Sequence, residues 1–76
     1  MFIVGIEKLS YTNKVGRLVE GVKVHCNYEK NNCDGYACVT EFVKPKVFEE
    51  SCVGTGDEVK IFYNRYGAVE HIQKIN

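Results

Sequence analysis

The sequence predicts an all-β fold: a small five-stranded antiparallel sheet, bent strongly enough to close into an OB-like or SH3-like barrel, with a short loop or helical turn between strands three and four. Three observations carry this. Apolar and polar residues alternate along most of the chain, the period of a half-buried strand. Clusters rich in Asn, Gly, Asp and Lys at 12–17, 30–35 and 64–67 separate those stretches, as turns between antiparallel strands require. The single proline, Pro45, falls outside the alternating stretches, so ladder donors are retained within them. Closure of the sheet would also hide its edge strands.

Strand one covers residues 2–11, with Phe2, Val4 and Ile6 on one side and Ile3 and Leu9 on the other, and Gly5 marks a bend. The turn Thr12–Arg17 follows, made basic by Lys14 and Arg17. Strand two, Leu18 to Glu29, places Leu18, Val22, Val24, Cys26 and Tyr28 on a core face and Lys23, His25, Asn27 and Glu29 on a wet face. After the turn Lys30–Gly35, strand three runs from Tyr36 to Val43. It sets Tyr36, Cys38 and Phe42 on one side and Ala37, Val39 and Val43 on the other, a pattern that predicts cover on both faces. Pro45 ends it, and Lys46–Cys52 forms a helical turn or an irregular loop that tucks Val47 and Phe48 under an open end of the sheet.

The last stretch, Val53–Asn76, reads as one β-hairpin. Asn64-Arg65-Tyr66-Gly67 has Asn first and Gly fourth, which suits a type I turn closed by a glycine bulge with φ > 0. Three loop residues place Tyr63 opposite Val69, Phe62 opposite Glu70, Ile61 opposite His71 and Lys60 opposite Ile72. Val59, Ile61, Tyr63, Val69, His71 and Ile75 then form the core face. Lys60, Phe62, Glu70, Ile72 and Lys74 form the outer one.

Seventy-six residues make one domain, 1–76, with a thin core, since a chain of this size buries only about 60% of its unfolded surface. A 45% share of hydrophobic residues excludes disorder. Ten basic and ten acidic residues cancel, so a charged partner needs a local patch rather than a global field. The apolar start, Met1–Ile6, is broken by Glu7 and Lys8 and has no basic segment before it, which predicts neither a signal peptide nor a membrane span, and hence a cytoplasmic protein. In that compartment Cys26, Cys33, Cys38 and Cys52 are expected as reduced, buried or half-buried thiols, with zinc binding and disulfides the alternatives. Their spacings of seven, five and fourteen include no C-x-x-C knuckle, so no zinc site is assigned.

Aromatics interleaved with lysines on a sheet are what single-stranded nucleic acid requires, because rings stack bases while cations follow phosphates. Lys60, Phe62, Arg65, Tyr66 and Lys74 compose such a surface, extended by Lys14, Arg17 and Lys23. The competing reading puts Phe62 and Ile72 in the core or a subunit interface. No catalytic residue is assigned. His25 and Cys26 are neighbours in sequence and so point to opposite faces, and Cys26 with His71 reads as a buried thiol near a core histidine. The acids at 49–50 and 57–58 lack calcium-loop spacing, and Gly54-Thr55-Gly56 lacks the Lys-Ser/Thr of a phosphate loop, so no cofactor is expected. The expected function is a non-enzymatic binding module for single-stranded DNA or RNA, or alternatively a protein-interaction or regulatory module. Either could act as a homodimer.

The segments Gly-Arg-Leu-Val-Glu-Gly-Val-Lys-Val-His-Cys at 16–26, Glu-Phe-Val at 41–43, Gly-Asp-Glu-Val at 56–59 and Tyr-Asn-Arg-Tyr-Gly at 63–67 resemble a family of short uncharacterised proteins of Gram-positive bacteria, often found among mobile-element genes. That resemblance implies a bacterial, cytoplasmic origin and no particular activity. The strand order, basic first turn and terminal glycine-turn hairpin also look like the single-stranded-DNA-binding proteins of filamentous phages, which implies a dimeric OB-type barrel. This second likeness lies in layout and transfers no functional residue.

Overall fold

In a computed structural model, which describes residues 1–75, the chain forms β1 (Phe2–Thr12), β2 (Leu18–Tyr28), β3 (Ala37–Val43), α1 (Pro45–Ser51), β4 (Val59–Tyr63) and β5 (Val69–Lys74). The strands make two antiparallel sheets, one ordered β1-β2-β3 and one β4-β5. Asn76, assigned from sequence to the hairpin, lies outside the described residues. No helix among the described residues is long and apolar enough to cross a membrane.

β1 and β2 pair along their full length, from Phe2 with Asn27 to Thr12 with Leu18, whereas β3 reaches only from Tyr28 to Val22. Residues 9–21 therefore project past β3 as a two-stranded arm, and the molecule is elongated, 43 × 25 × 25 Å. The arm's turn is specified by Asn13. Its amide donates to the Arg17 carbonyl, its Oδ1 accepts from the Val15 and Arg17 amides, and Gly16 takes φ 80°. The β4–β5 turn repeats this construction with Asn64 and Gly67 (φ 82°), as the sequence predicts.

Two bulges change which residues face the core. In β1 the register steps from Ile3–Cys26 to Gly5–His25, leaving Val4 as the extra residue. The bend expected at Gly5 is this bulge, and it returns Ile6 to the side of Ile3, opposite to the assignment made by simple alternation. In the terminal hairpin Tyr63 faces Val69 as predicted, but Glu70 is then skipped. Phe62 faces His71, Ile61 faces Ile72, Lys60 faces Gln73 and Val59 faces Lys74. Ile72 is thereby buried at 1% exposure, whereas His71 turns outward and Ile75 is exposed, so neither belongs to the core as expected.

The core is Ile3, Val22, Val24, Cys26 and Val43 from the first sheet against Val59, Ile61, Val69 and Ile72 from the second, with Val53 between. α1 covers one end and packs Val47 and Phe48 against this cluster, the tucking expected for that segment. Pro45 opens the helix where a missing amide costs nothing, and Cys52 ends it in the left-handed region (φ 54°).

The sheets do not close into a barrel. On one side they meet, among the described residues, through a single bridge, Phe2 with Glu58, supported by bonds from the Ile3 amide to the Asp57 carbonyl (3.0 Å) and from the Val59 amide to the Met1 carbonyl (2.7 Å). On the other side no ladder joins β3 to β5, and the Tyr63 hydroxyl reaches across to Glu41. Glu41 occupies the inward row of β3, where a fully covered strand would need an apolar residue. β3 is also bare on its outer side: Tyr36, Cys38 and Phe42 are exposed rather than covered.

Candidate nucleic-acid interface

Strand pairing places Leu9 with Gly21, Glu7 with Lys23, Lys23 with Phe42, and Gly5 with His25 and Thr40 on one outward face of β1-β2-β3. At its centre the Phe42 ring lies across Gly21. A Cβ at position 21 would sit 2.0 Å from Phe42 Cζ, so only glycine admits the ring in this pose. The ring stays 47% exposed, with Lys23 directly across the ladder. Gly21 in a β-branched strand is the signal in the sequence for this close approach, and alternation alone overlooked it.

Beside this pair His25 is held between Thr40 and Glu7. Thr40 Oγ1 lies 2.8 Å from its Nδ1 and Glu7 Oε1 3.4 Å from its Nε2, and Gly5 leaves room for the ring, since a Cβ there would stand 3.3 Å from His25 Cδ2. Imidazole, hydroxyl and carboxylate form a polar row on this face.

The Phe2–Glu58 bridge carries the same face onto the second sheet, because side chains opposite each other in a ladder share a side. Lys60 and Phe62 follow Glu58 at period two. Lys60 Nζ stands 5.2 Å from the Phe62 ring centroid, and the His71 ring lies 5.8 Å away on the other strand, tilted by 33°. This is a cation–π contact on a second partly exposed ring. At the hairpin tip the Arg65 guanidinium covers the exposed Tyr66 ring at 5.0 Å.

The structure thus brings Lys60 together with Phe62, and Arg65 with Tyr66, while Lys23 joins a ring that was not among the predicted site residues. Lys14 and Arg17 stand apart on the turn of the arm. Lys74 does not belong to the face as expected. The Glu70 bulge puts it on the side of Val59, where its Nζ lies 3.6 Å from Asp57 Oδ1.

Of the thiols only Cys26 is buried, and burial pushes its pKa up; Cys33, Cys38 and Cys52 are exposed, against expectation. Turns and the bare face of β3 account for the difference. Cys26 faces the core and His71 faces solvent, so the two do not meet. Among the described residues no three His, Cys, Asp or Glu side chains converge in a metal-binding group. A cavity of about 330 Å³ separates the arm from α1, between Val22, Phe48 and Val53 on its floor and Lys8, Glu20 and Glu49 at its mouth. Comparison with protein-family models, with curated proteins and with solved structures returns no match.

Proposed function

We propose that this chain is a non-enzymatic binding module, an open OB-like arrangement that takes single-stranded nucleic acid across the outer face of its sheets. The observation that carries the reading is Phe42 lying half exposed over Gly21 with Lys23 beside it, a ring for a base and a cation for the adjoining phosphate. Phe62 with Lys60 repeats the combination across the Phe2–Glu58 bridge.

The chain order also supports it. OB-folds carry oligonucleotides on strands two and three, between the loops that join strands one to two and four to five. The corresponding places here hold Lys23 and Phe42, the Lys14–Arg17 turn, and the Arg65–Tyr66 tip. Flat rings favour unstacked bases over a duplex. A balanced net charge leaves only a few phosphate contacts, so salt weakens binding with a shallow slope.

A second reading, a protein-interaction module, is favoured by one observation: Tyr11, Val15 and Leu18 are exposed apolar residues grouped on the arm. Fluorescence anisotropy separates the two. Labelled single-stranded oligonucleotide should bind, in preference to duplex and less well at higher salt, and Phe42→Ala and Lys23→Glu should each weaken binding. Absence of binding by the wild type leaves the interaction module.

A further inference from the structure

We infer that the free edge of β1 is an interface for a second copy of this chain, the two β1 strands pairing antiparallel about a two-fold axis at Leu9. The direction of the edge groups follows from the turn. The Asn13 amide donates to the Arg17 carbonyl, so Asn13 faces β2, and alternation along an antiparallel strand turns the backbone groups of Thr12, Ser10, Lys8 and Ile6 away from β2. The edge of β1 is occupied only at its start, where Ile3 bonds to Gly56 and Asp57. From Ile6 onward no strand among the described residues pairs with it. Beyond the bulge at Val4 it carries no proline and no further bulge, two of the features that blunt an unpaired edge, and Glu7 and Lys8 are its charged residues.

Charge selects the partner and the register. A two-fold axis that keeps each sheet face continuous must pass through a residue. At Glu7 or Lys8 it would oppose like charges, and nearer the start it collides with the 56–57 segment. At Leu9 it pairs Lys8 with the second copy's Ser10, Glu7 with the second copy's Tyr11, and Ile6 with the second copy's Thr12. Ser10 stands opposite Glu20 on β2, so the second copy's Lys8 reaches over a small side chain toward a carboxylate that has no ion pair among the described residues. An axis at Ser10 also avoids like charges but pairs a shorter stretch and leaves Leu9 off the centre.

The outer face becomes continuous in this arrangement. Leu9 lies opposite Gly21, on which Phe42 rests, so one apolar row runs from Phe42 through Leu9 and the second copy's Leu9 to the second copy's Phe42. The two Phe42 platforms then stand roughly three strand spacings apart, about 14 Å. This inference goes beyond the nucleic-acid reading and stands or falls without oligonucleotide present.

Sedimentation equilibrium of the wild type at micromolar to near-millimolar concentration should show a reversible dimer. Ser10→Pro removes an edge amide that bonds nothing within one chain, so it should remain folded by circular dichroism and sediment as a monomer. With Cys33, Cys38 and Cys52 replaced by serine, Leu9→Cys should form a disulfide-linked dimer under mild oxidation, because it faces its own copy, whereas Tyr11→Cys should not. A wild-type monomer throughout, a folded Ser10→Pro dimer, or cross-linking through position 11 in preference to 9 would overturn the inference.

Discussion

The Tyr63 hydroxyl donates a 2.8 Å hydrogen bond to Glu41 Oε1, and this side-chain contact spans the seam where the two sheets are not joined by backbone ladder. It links the end of β4 to β3, on the side where no β3–β5 ladder closes the sheets into a barrel among the described residues. Partial burial, with Glu41 as the second cause, pushes the Tyr63 hydroxyl up to about 12 from its ordinary 10.0.

The sign of the resulting pH dependence follows. A group whose pKa is raised on folding stabilises the protein fully below its unfolded value and loses that contribution as pH rises through the folded one. Tyr63→Phe should therefore cost up to about 1 kcal/mol near neutral pH, where both partners are partly solvated. The gap between wild type and variant in urea midpoint should narrow as pH rises from 10.0 to about 12. A gap that widens over that range would show that the bond is not what couples the sheets.

Gly21→Ala drives a Cβ into the Phe42 ring. The expected loss is about 1–3 kcal/mol, the range for an overfilled site, if the ring cannot swing clear. Phe42→Ala alone should cost only about 1 kcal/mol, since the ring is half exposed. The double variant should be no less stable than Gly21→Ala, a coupling that denaturant titration of all four proteins measures directly. Oligonucleotide affinity should fall in every variant, by about 1–3 kcal/mol for one lost stacking contact.

Lys60 and Lys74 lie on opposite sides of the terminal hairpin. Lys60→Glu should weaken binding of single strands and flatten its salt dependence. Lys74→Glu should leave binding nearly unchanged and cost less than about 1 kcal/mol in stability, through the half-exposed pair with Asp57. Equal effects of the two on affinity would contradict the register.

Native alkylation should modify Cys33, Cys38 and Cys52 rapidly and spare Cys26, which burial keeps as a protonated thiol in the core. Mass spectrometry counts the adducts. A fourth adduct should appear only in denaturant, at the rate of global unfolding.

Much of the fold was legible. The turns at 13–16 and 64–67 were written in Asn and Gly, β2 in its alternation, and the end of β3 in Pro45. What alternation could not carry was a single inserted residue. Nothing about Glu70 or Val4 marks a bulge, yet each moves every side chain beyond it to the other face, which is why simple alternation misplaces Ile6, His71 and Lys74, while Ile72 lies in the core as the competing reading has it. Half of the candidate site was visible in the same way: Lys60 with Phe62 follows from period two, and Arg65 with Tyr66 from the turn. Phe42 was assigned to cover because an apolar residue in an apolar strand looks buried, and the open outer face of β3 depends on what fails to pack there, a tertiary fact.

The most direct test of the binding face is a titration of the amide proton–nitrogen NMR spectrum with a short single-stranded oligonucleotide. The account predicts shifts clustered at Lys23, His25, Thr40 and Phe42, continuing to Lys60 and Phe62, with Lys8 and Ser10 beside the cavity and the helix 45–51 quiet. Shifts confined to the cavity between the arm and α1, or none at saturating oligonucleotide, would contradict it.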